Sequence, residues 1–128
     1  MKRIRLAPFL LLAACATGPS PIDDARKRFD EGRSDEALAV LQKASFENAE
    51  NSALRTEYYR MRDVVTAQWL SQAESLRQAQ RFDAAETLYR RVLSHDAKNP
   101  RATAGIAQIE TDRRHAGAAA QAEQRVRA

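Results

Sequence analysis

Apolar residues recur three and four positions apart along most of this chain, which is the spacing of helices that bury one face. The longest such stripe runs from Leu54 to Leu76, and nothing within 52–79 breaks a helix. The pattern therefore predicts one helix over 52–79, about 40 Å long at a rise of 1.5 Å per residue. We expect its N-terminal half to pack on a helix predicted over 35–46.

Capping residues mark the start of the first and fifth predicted helices. Ser20 is expected to cap a helix over 21–31 that begins with a proline, and Asp23 is expected to complete a capping box. The pair Asn99–Pro100 predicts the start of the fifth helix, which continues into the alanine-rich tract 116–128. The apolar side of this fifth helix is expected to consist of Ile106, Ala107 and Ile109.

These elements predict an all-α protein. Alanine, arginine, glutamine, glutamate and leucine dominate, with only four glycines and four prolines, and no segment alternates as a strand does. We expect a signal peptide over 1–14, a linker over 15–20 and helical repeats over 21–112. The alanine-rich helix over 113–128 is interpreted as the start of a further repeat in a longer protein, with a frayed natural tail as the alternative.

A specific motif lies in the second half of the chain. It consists of small, aromatic and aliphatic residues at helical spacing, namely Trp69, Ala73, Leu76, Phe82, Ala85, Tyr89 and Val92. This motif resembles the tetratricopeptide repeat (TPR), in which two antiparallel helices pack through small and aromatic residues. Gln72 replaces the usual leucine and Ala97 the usual proline, and Pro100 follows three residues later.

A weaker copy of the motif precedes this one. The segment 32–37 matches the turn and the start of a second helix, and Leu41 and Ala44 continue the pattern. The equivalent residues Ala37 and Ala85 are further apart than the TPR period of about 34 residues, and the long third helix accommodates the difference. The resemblance implies stacked TPR-like antiparallel hairpins, that is, a fragment of an α-solenoid.

The TPR resemblance also implies a binding surface. In that family the first helices of the repeats form a concave wall that binds protein segments, and mixed charges there suit an extended or helical partner. The alternative is a solvated helix face, on which Glu74 and Arg77 form a surface ion pair. The residues assigned to the wall are Leu70, Glu74, Arg77, Gln78, Arg101, Gln108 and Thr111.

The first fifteen residues have the pattern of an export signal. Basic residues within 2–5 precede an apolar run over 6–14, which is too short to span a membrane. The sequence Leu-Ala-Ala-Cys at 12–15 resembles the lipobox of bacterial lipoproteins, which implies acylation (palmitate) of Cys15, and Ala16 implies the periplasmic face of the outer membrane. The alternatives are ordinary signal cleavage, which would release a soluble periplasmic protein, and an incidental cysteine in an N-terminal anchor.

Charge and chemistry exclude several function classes. The formal net charge is +4, but without the three basic residues of the signal 18 basic and 17 acidic residues remain, which gives no nucleic-acid footprint. His95 and His115 lack metal-site spacing, and His95 is interpreted as a favourable partner of a helix C-terminal dipole. No phosphate-binding loop is present. We therefore expect no enzyme activity, no metal and no cofactor.

The lipobox, the GRSDEAL turn, the EYYRMRD segment and the RFDAAETLYRRVLSHDAKNPRA repeat together resemble the opening of a TPR-bearing secretin of proteobacteria. The resemblance implies a non-catalytic, outer-membrane-anchored adaptor that binds a protein partner in a type II secretion or type IV-pilus-like system, and that oligomerises as part of a secretin. A stand-alone TPR lipoprotein of the pilotin or envelope-assembly kind is the first alternative. The regulatory N-terminal part of an envelope enzyme is the second.

Overall fold

The computed structural model describes residues 18–128, and this part of the chain is all-α, as predicted. Helices make up 84% of it, and no strand occurs among the described residues. The predicted signal peptide over 1–14 and the predicted acylation of Cys15 lie outside the described residues. The helices are α1 (Pro21–Asp30), α2 (Ser34–Glu47), α3 (Ser52–Gln78), α4 (Phe82–His95) and α5 (Pro100–Arg127).

The long helix α3 lies at the centre of the fold and contacts all four other helices. It is one residue shorter than the predicted 52–79. Its apolar stripe is buried from Leu54 to Ala73, and Tyr58 and Leu76 are partly buried against the same core. Because α2 and α4 both pack on α3, one helix serves two successive hairpins.

The N-caps of α1 and α5 form where the capping residues predict them. Ser20 Oγ accepts the backbone N–H of Asp23 at 3.2 Å, and Asn99 Oδ1 accepts that of Ala102 at 3.1 Å. The predicted capping box at Ser20 differs in one bond, because the Asp23 carboxylate accepts the Ser20 hydroxyl at 2.6 Å. The short aspartate side chain therefore bonds the serine side chain and not the serine backbone.

The turns that open α2 and α4 have the same backbone geometry. Gly32 lies between α1 and α2 with a φ of 79°, and Gln80 lies between α3 and α4 with a φ of 58°. In both turns the amide that follows donates to the carbonyl five residues earlier, at 2.8 Å in the first and 2.9 Å in the second. Both are Schellman-type helix ends. The separation of the two turns equals that of Ala37 and Ala85, which are both fully buried.

The left-handed backbone conformation at Gln80 is strained, whereas the equivalent turn has glycine, Gly32, at this position. A left-handed backbone costs a residue with a side chain about 1–2 kcal/mol. We expect Gln80→Gly to raise the free energy of unfolding by about 0.5–1 kcal/mol, measured by urea denaturation followed by circular dichroism. Gln72→Gly, at an exposed position inside α3, is the matched control and should lower it by about 1 kcal/mol. A loss of stability in Gln80→Gly would contradict this account of the turn.

The buried side of α5 differs from the predicted one. Ala102, Gly105 and Ile109 are buried, whereas Ile106 lies at the edge of the core and Ala107 is exposed. The assignment of Ala107 to the buried side was wrong because it followed the most apolar residues and not the spacing of three and four that begins at Ala102. The helix crosses the predicted boundary at 113 without a break.

Candidate functional site

A cleft of about 300 Å³ lies between α3 and α5, with α4 behind it. Successive turns of α3 bring three side chains to one edge, and α5 supplies the opposite edge. Five of the seven residues predicted for the binding wall line this cleft, together with Tyr89 of α4. These five are Leu70, Glu74, Arg77, Arg101 and Gln108.

Glu74 is the centre of the hydrogen-bond network in this cleft. Its carboxylate accepts bonds from Arg77 Nη2 at 2.6 Å, from Gln78 Nε2 at 3.0 Å and from the Tyr89 hydroxyl at 3.0 Å. The bonds, that from Arg77 foremost, lower the pKa of Glu74 to about 2. Burial, followed by the bond to Glu74, raises the pKa of Tyr89. The Glu74 carboxylate is therefore ionised at neutral pH and paired with the Arg77 guanidinium.

Arg77 ties α3 to α5. Its guanidinium pairs with Glu74 on its own helix and with Asp112 on α5. Bonds from Gln108, at 2.9 Å, and from Arg77 lower the pKa of Asp112. The predicted ion pair of Glu74 and Arg77 forms, at 2.6 Å, but only 20% of the Arg77 side chain is exposed, because Arg77 also bridges two helices.

The remaining predicted wall residues have different positions. Leu70 is buried and forms the apolar floor of the cleft, so it can contact only an occupant of the cleft itself. Gln78 is exposed in an adjoining depression beside His115. Thr111 does not line the α3–α5 cleft, and its hydroxyl lies 3.5 Å from the Ala107 carbonyl of its own helix.

Tyr89 and Gly105 determine how closely α4 and α5 approach each other. A Cβ atom at Gly105 would lie 2.7 Å from Tyr89 Cε2 and closer still to Cζ, well inside the distance at which atoms repel. Only glycine permits this approach. The sequence motif identified Tyr89 as a core residue, but it did not identify Gly105. The sequence feature that could have identified Gly105 is its position three residues after Ala102, which places two small residues on one face of α5.

A second cleft, of about 260 Å³, lies between α1 and α3. Arg26 and Arg60 lie at its edges, and the partly exposed Val64 lines it. The separation between Arg26 and Glu74 along the chain equals that between the turn residues Gly32 and Gln80. Arg60 and Gln108 are separated by the same number of residues. The two clefts therefore occupy equivalent places along the chain. Sequence reasoning missed the second cleft because the first copy of the motif lacks its aromatic residues.

Glu57 is a buried carboxylate beside this second cleft. It accepts bonds from Arg60 Nη2 at 2.7 Å and from Arg26 Nε at 3.1 Å. These bonds, that from Arg60 foremost, lower the pKa of Glu57 to about 2. Because Arg26 belongs to α1, the ion pair ties α1 to α3 in the way that Arg77 ties α3 to α5.

Replacing Glu57 with glutamine should make stability less dependent on pH. A carboxyl group whose pKa falls on folding stabilises the fold above its ordinary pKa, and this contribution is lost as pH falls from about 4.5 to about 2. We expect Glu57→Gln to lower the free energy of unfolding by about 1–2 kcal/mol at neutral pH, since solvent screens both arginines. The difference from the native chain should shrink towards about pH 2, as measured by urea denaturation across this range. Glu110→Gln, at an exposed position on α5, is the control, and an equal effect at both sites would contradict the assignment.

His95 packs against Trp69, with ring centroids 5.5 Å apart. Burial, followed by the nearby Arg91 guanidinium, lowers the pKa of His95 and favours the neutral ring. The Asp35 carboxylate, 3.6 Å from His95 Nε2, does not offset these two effects. His95 lies in the last turn of α4, where it was predicted to be a favourable partner of the helix dipole, and its lowered pKa reduces the positive charge that it can offer there.

Neither a metal site nor a match to a known protein adds to this geometry. Within residues 18–128, no group of three or more histidine, aspartate or glutamate side chains is placed to hold a metal ion, and none of the helices combines the length and apolar character needed to cross a bilayer. No family model matches the chain, and no match occurs among curated proteins or solved structures.

Proposed function

We propose that this chain is a non-catalytic, TPR-like adaptor that binds a segment of a protein partner in the α3–α5 cleft. The observation that carries the proposal is the meeting of five wall residues around that cleft. Arg77, Arg101 and Gln108 offer donors above the apolar floor of Leu70, and the Glu74 carboxylate holds Arg77 in place. Such a lining suits the backbone and mixed side chains of an extended or helical segment.

Repetition within the fold supports the TPR-like part of this proposal. The two turns, the buried alanines and the two clefts all recur at one and the same separation along the chain. In stacked repeats such surfaces lie side by side, so that one long partner segment can contact more than one unit. We therefore include the α1–α3 cleft in the proposed binding surface.

We further propose that the adaptor is anchored through an acylated Cys15 at the periplasmic face of the outer membrane, in a secretion or pilus-assembly system. The lipobox at 12–15 and the resemblance to TPR-bearing secretins support this location. A stand-alone envelope lipoprotein and the regulatory part of an envelope enzyme are the alternatives. β-rich secretin modules, a stop codon or a catalytic domain after Ala128 in the intact gene would distinguish the three.

Photo-crosslinking in the producing bacterium tests the cleft. A photoreactive amino acid is placed at Arg101 or Gln108, both exposed at the cleft, and at Thr87, an exposed control position on α4. We expect one defined protein adduct from the two cleft positions and none from Thr87. Adducts of equal yield from all three positions, or none from the cleft, would overturn the proposed binding surface.

Labelling with radioactive palmitate tests the anchor. We expect the native chain to incorporate label and Cys15→Ala to remain unlabelled. An unlabelled native chain would exclude the anchor and leave the soluble periplasmic alternative.

A further inference from the structure

We propose that one end of the molecule, which we call the aromatic end, docks on the surface of the lipid bilayer; this inference rests on the anchor at Cys15 proposed above. The aromatic end is defined by the last turn of α2 and the first turns of α3, with Lys43, Phe46, Arg55, Tyr58 and Tyr59. Docking would fix the direction in which the binding clefts project from the membrane.

The aromatic end exposes two aromatic side chains on rigid helices. Phe46 is 88% exposed in the last turn of α2, and Tyr59 is 51% exposed on α3. Both line a depression of about 220 Å³ with Arg55 and Tyr58. The Arg62 guanidinium carbon lies 5.0 Å from the Tyr59 ring centroid. Aromatic side chains combined with arginine and lysine are suited to the boundary between lipid and water, where an apolar body and a polar tip are both satisfied.

Helix α1 begins near this end. Pro21, the first residue of α1, lines a depression together with Lys43 and Glu47 from the last turns of α2. Cys15 precedes Pro21 by six residues. Six extended residues span at most about 20 Å, so an acylated Cys15 would hold the aromatic end within that distance of the bilayer.

The charges at the aromatic end favour an apolar contact over attraction to anionic lipids. Lys43 and Arg55 are accompanied by Asp23, Glu47 and Glu50, so there is no excess of positive charge. The contact is therefore assigned to insertion of Phe46, with Tyr59 beside it. A tether of a few residues makes such an insertion intramolecular, so a contact too weak to recruit the free protein is strong enough to orient the anchored one.

The docked orientation has a consequence for the proposed binding surface. Ser52, the first residue of α3, lies at the aromatic end, and Glu74 lies near the opposite end of the same helix. At a rise of 1.5 Å per residue, the distance along the axis from Ser52 to Glu74 is about 33 Å. With α3 upright on the lipid surface, docking would hold the α3–α5 cleft away from the lipid and open to a partner in the periplasm.

Tryptophan fluorescence of the full-length acylated protein in vesicles of phosphatidylethanolamine and phosphatidylglycerol tests this inference. Phe46→Trp reports on the aromatic end, and Val126→Trp, at an equally exposed apolar residue near the end of α5, is the matched control. The native Trp69 is buried and present in both variants. We expect a blue shift and quenching by bromine-labelled acyl chains for Phe46→Trp only.

Flotation of the vesicles separates failure of this inference from failure of the anchor. If both variants float with the vesicles but Phe46→Trp is not quenched, the docking is wrong and the anchor stands. If neither variant floats, the anchor fails and the docking fails with it. A blue shift of Phe46→Trp that rises with protein concentration in the absence of vesicles would assign Phe46 to contact with a second copy and overturn the proposal.

Discussion

Replacing Trp69 with alanine is expected to lower the free energy of unfolding by about 3–5 kcal/mol, the range for deleting a buried aromatic side chain. The indole is only 6% exposed. It packs against His95, and the Arg91 guanidinium carbon lies 4.6 Å from its ring centroid. Arg91 in turn pairs with Asp35 of α2. The substitution therefore weakens contacts among α2, α3 and α4 at once.

The control for this substitution lies on the same helix. Tyr59→Ala also removes an aromatic ring, but from an exposed position, so its cost is expected to stay below about 1 kcal/mol. Trp69→Phe retains an aromatic face towards Arg91 and should cost less than Trp69→Ala. Urea denaturation of the full chain, followed by far-UV circular dichroism, measures all three. Equal losses from Trp69→Ala and Tyr59→Ala would show that Trp69 is not part of the core.

The positions of the helices can be predicted because the signals that define them are local in sequence. The unbroken stripe from Leu54 to Leu76 predicts α3 to within one residue at its end. Ser20 and Asn99 predict the starts of α1 and α5. Each of these signals depends on residues within a few positions of one another, so no knowledge of the tertiary structure is needed.

The clefts are only partly predictable, because their edges lie on different helices. Helix periodicity together with the TPR resemblance predicts that Glu74 and Arg77 share a face of α3. It does not predict that Arg77 pairs with Asp112, 35 residues away. Nor does it predict that Tyr89 bonds Glu74. These contacts depend on the distance and offset between packed helices, which the spacing of apolar residues along one helix does not contain.

Buried charge, like the contacts between helices, cannot be predicted from the hydrophobic pattern. Glu57 lies beside the apolar stripe of α3, and as a charged residue it would ordinarily be placed on the solvated face. It is buried because Arg26 of α1 and Arg60 of α3 both donate to its carboxylate, which offsets the cost of removing the charge from water. Only the position of Arg26, 31 residues away, reveals this, and that position depends on the packing of α1 against α3.

Gly105 is the residue at which the packing of α5 should be most sensitive to substitution. In Gly105→Ala the added methyl group would overlap the Tyr89 ring at Cζ and at both Cε atoms. The ring has little freedom to move, because it is buried and its hydroxyl bonds Glu74 at 3.0 Å. We expect the free energy of unfolding to fall by about 3 kcal/mol, the upper part of the range for overpacking a core. The displacement of α5 should also abolish the crosslinks from Arg101 and Gln108.

The same helix supplies a control, and Tyr89 supplies a test of the mechanism. Gly117→Ala introduces the same methyl group where nothing lies within 4 Å, so the higher helix propensity of alanine should raise stability slightly. In a Tyr89→Ala background the clash is absent, and Gly105→Ala should then cost nothing further, which gives strong non-additivity in a double-mutant cycle. If the two substitutions were additive, the sensitivity of Gly105 would have to arise from the helix backbone and not from its contact with Tyr89.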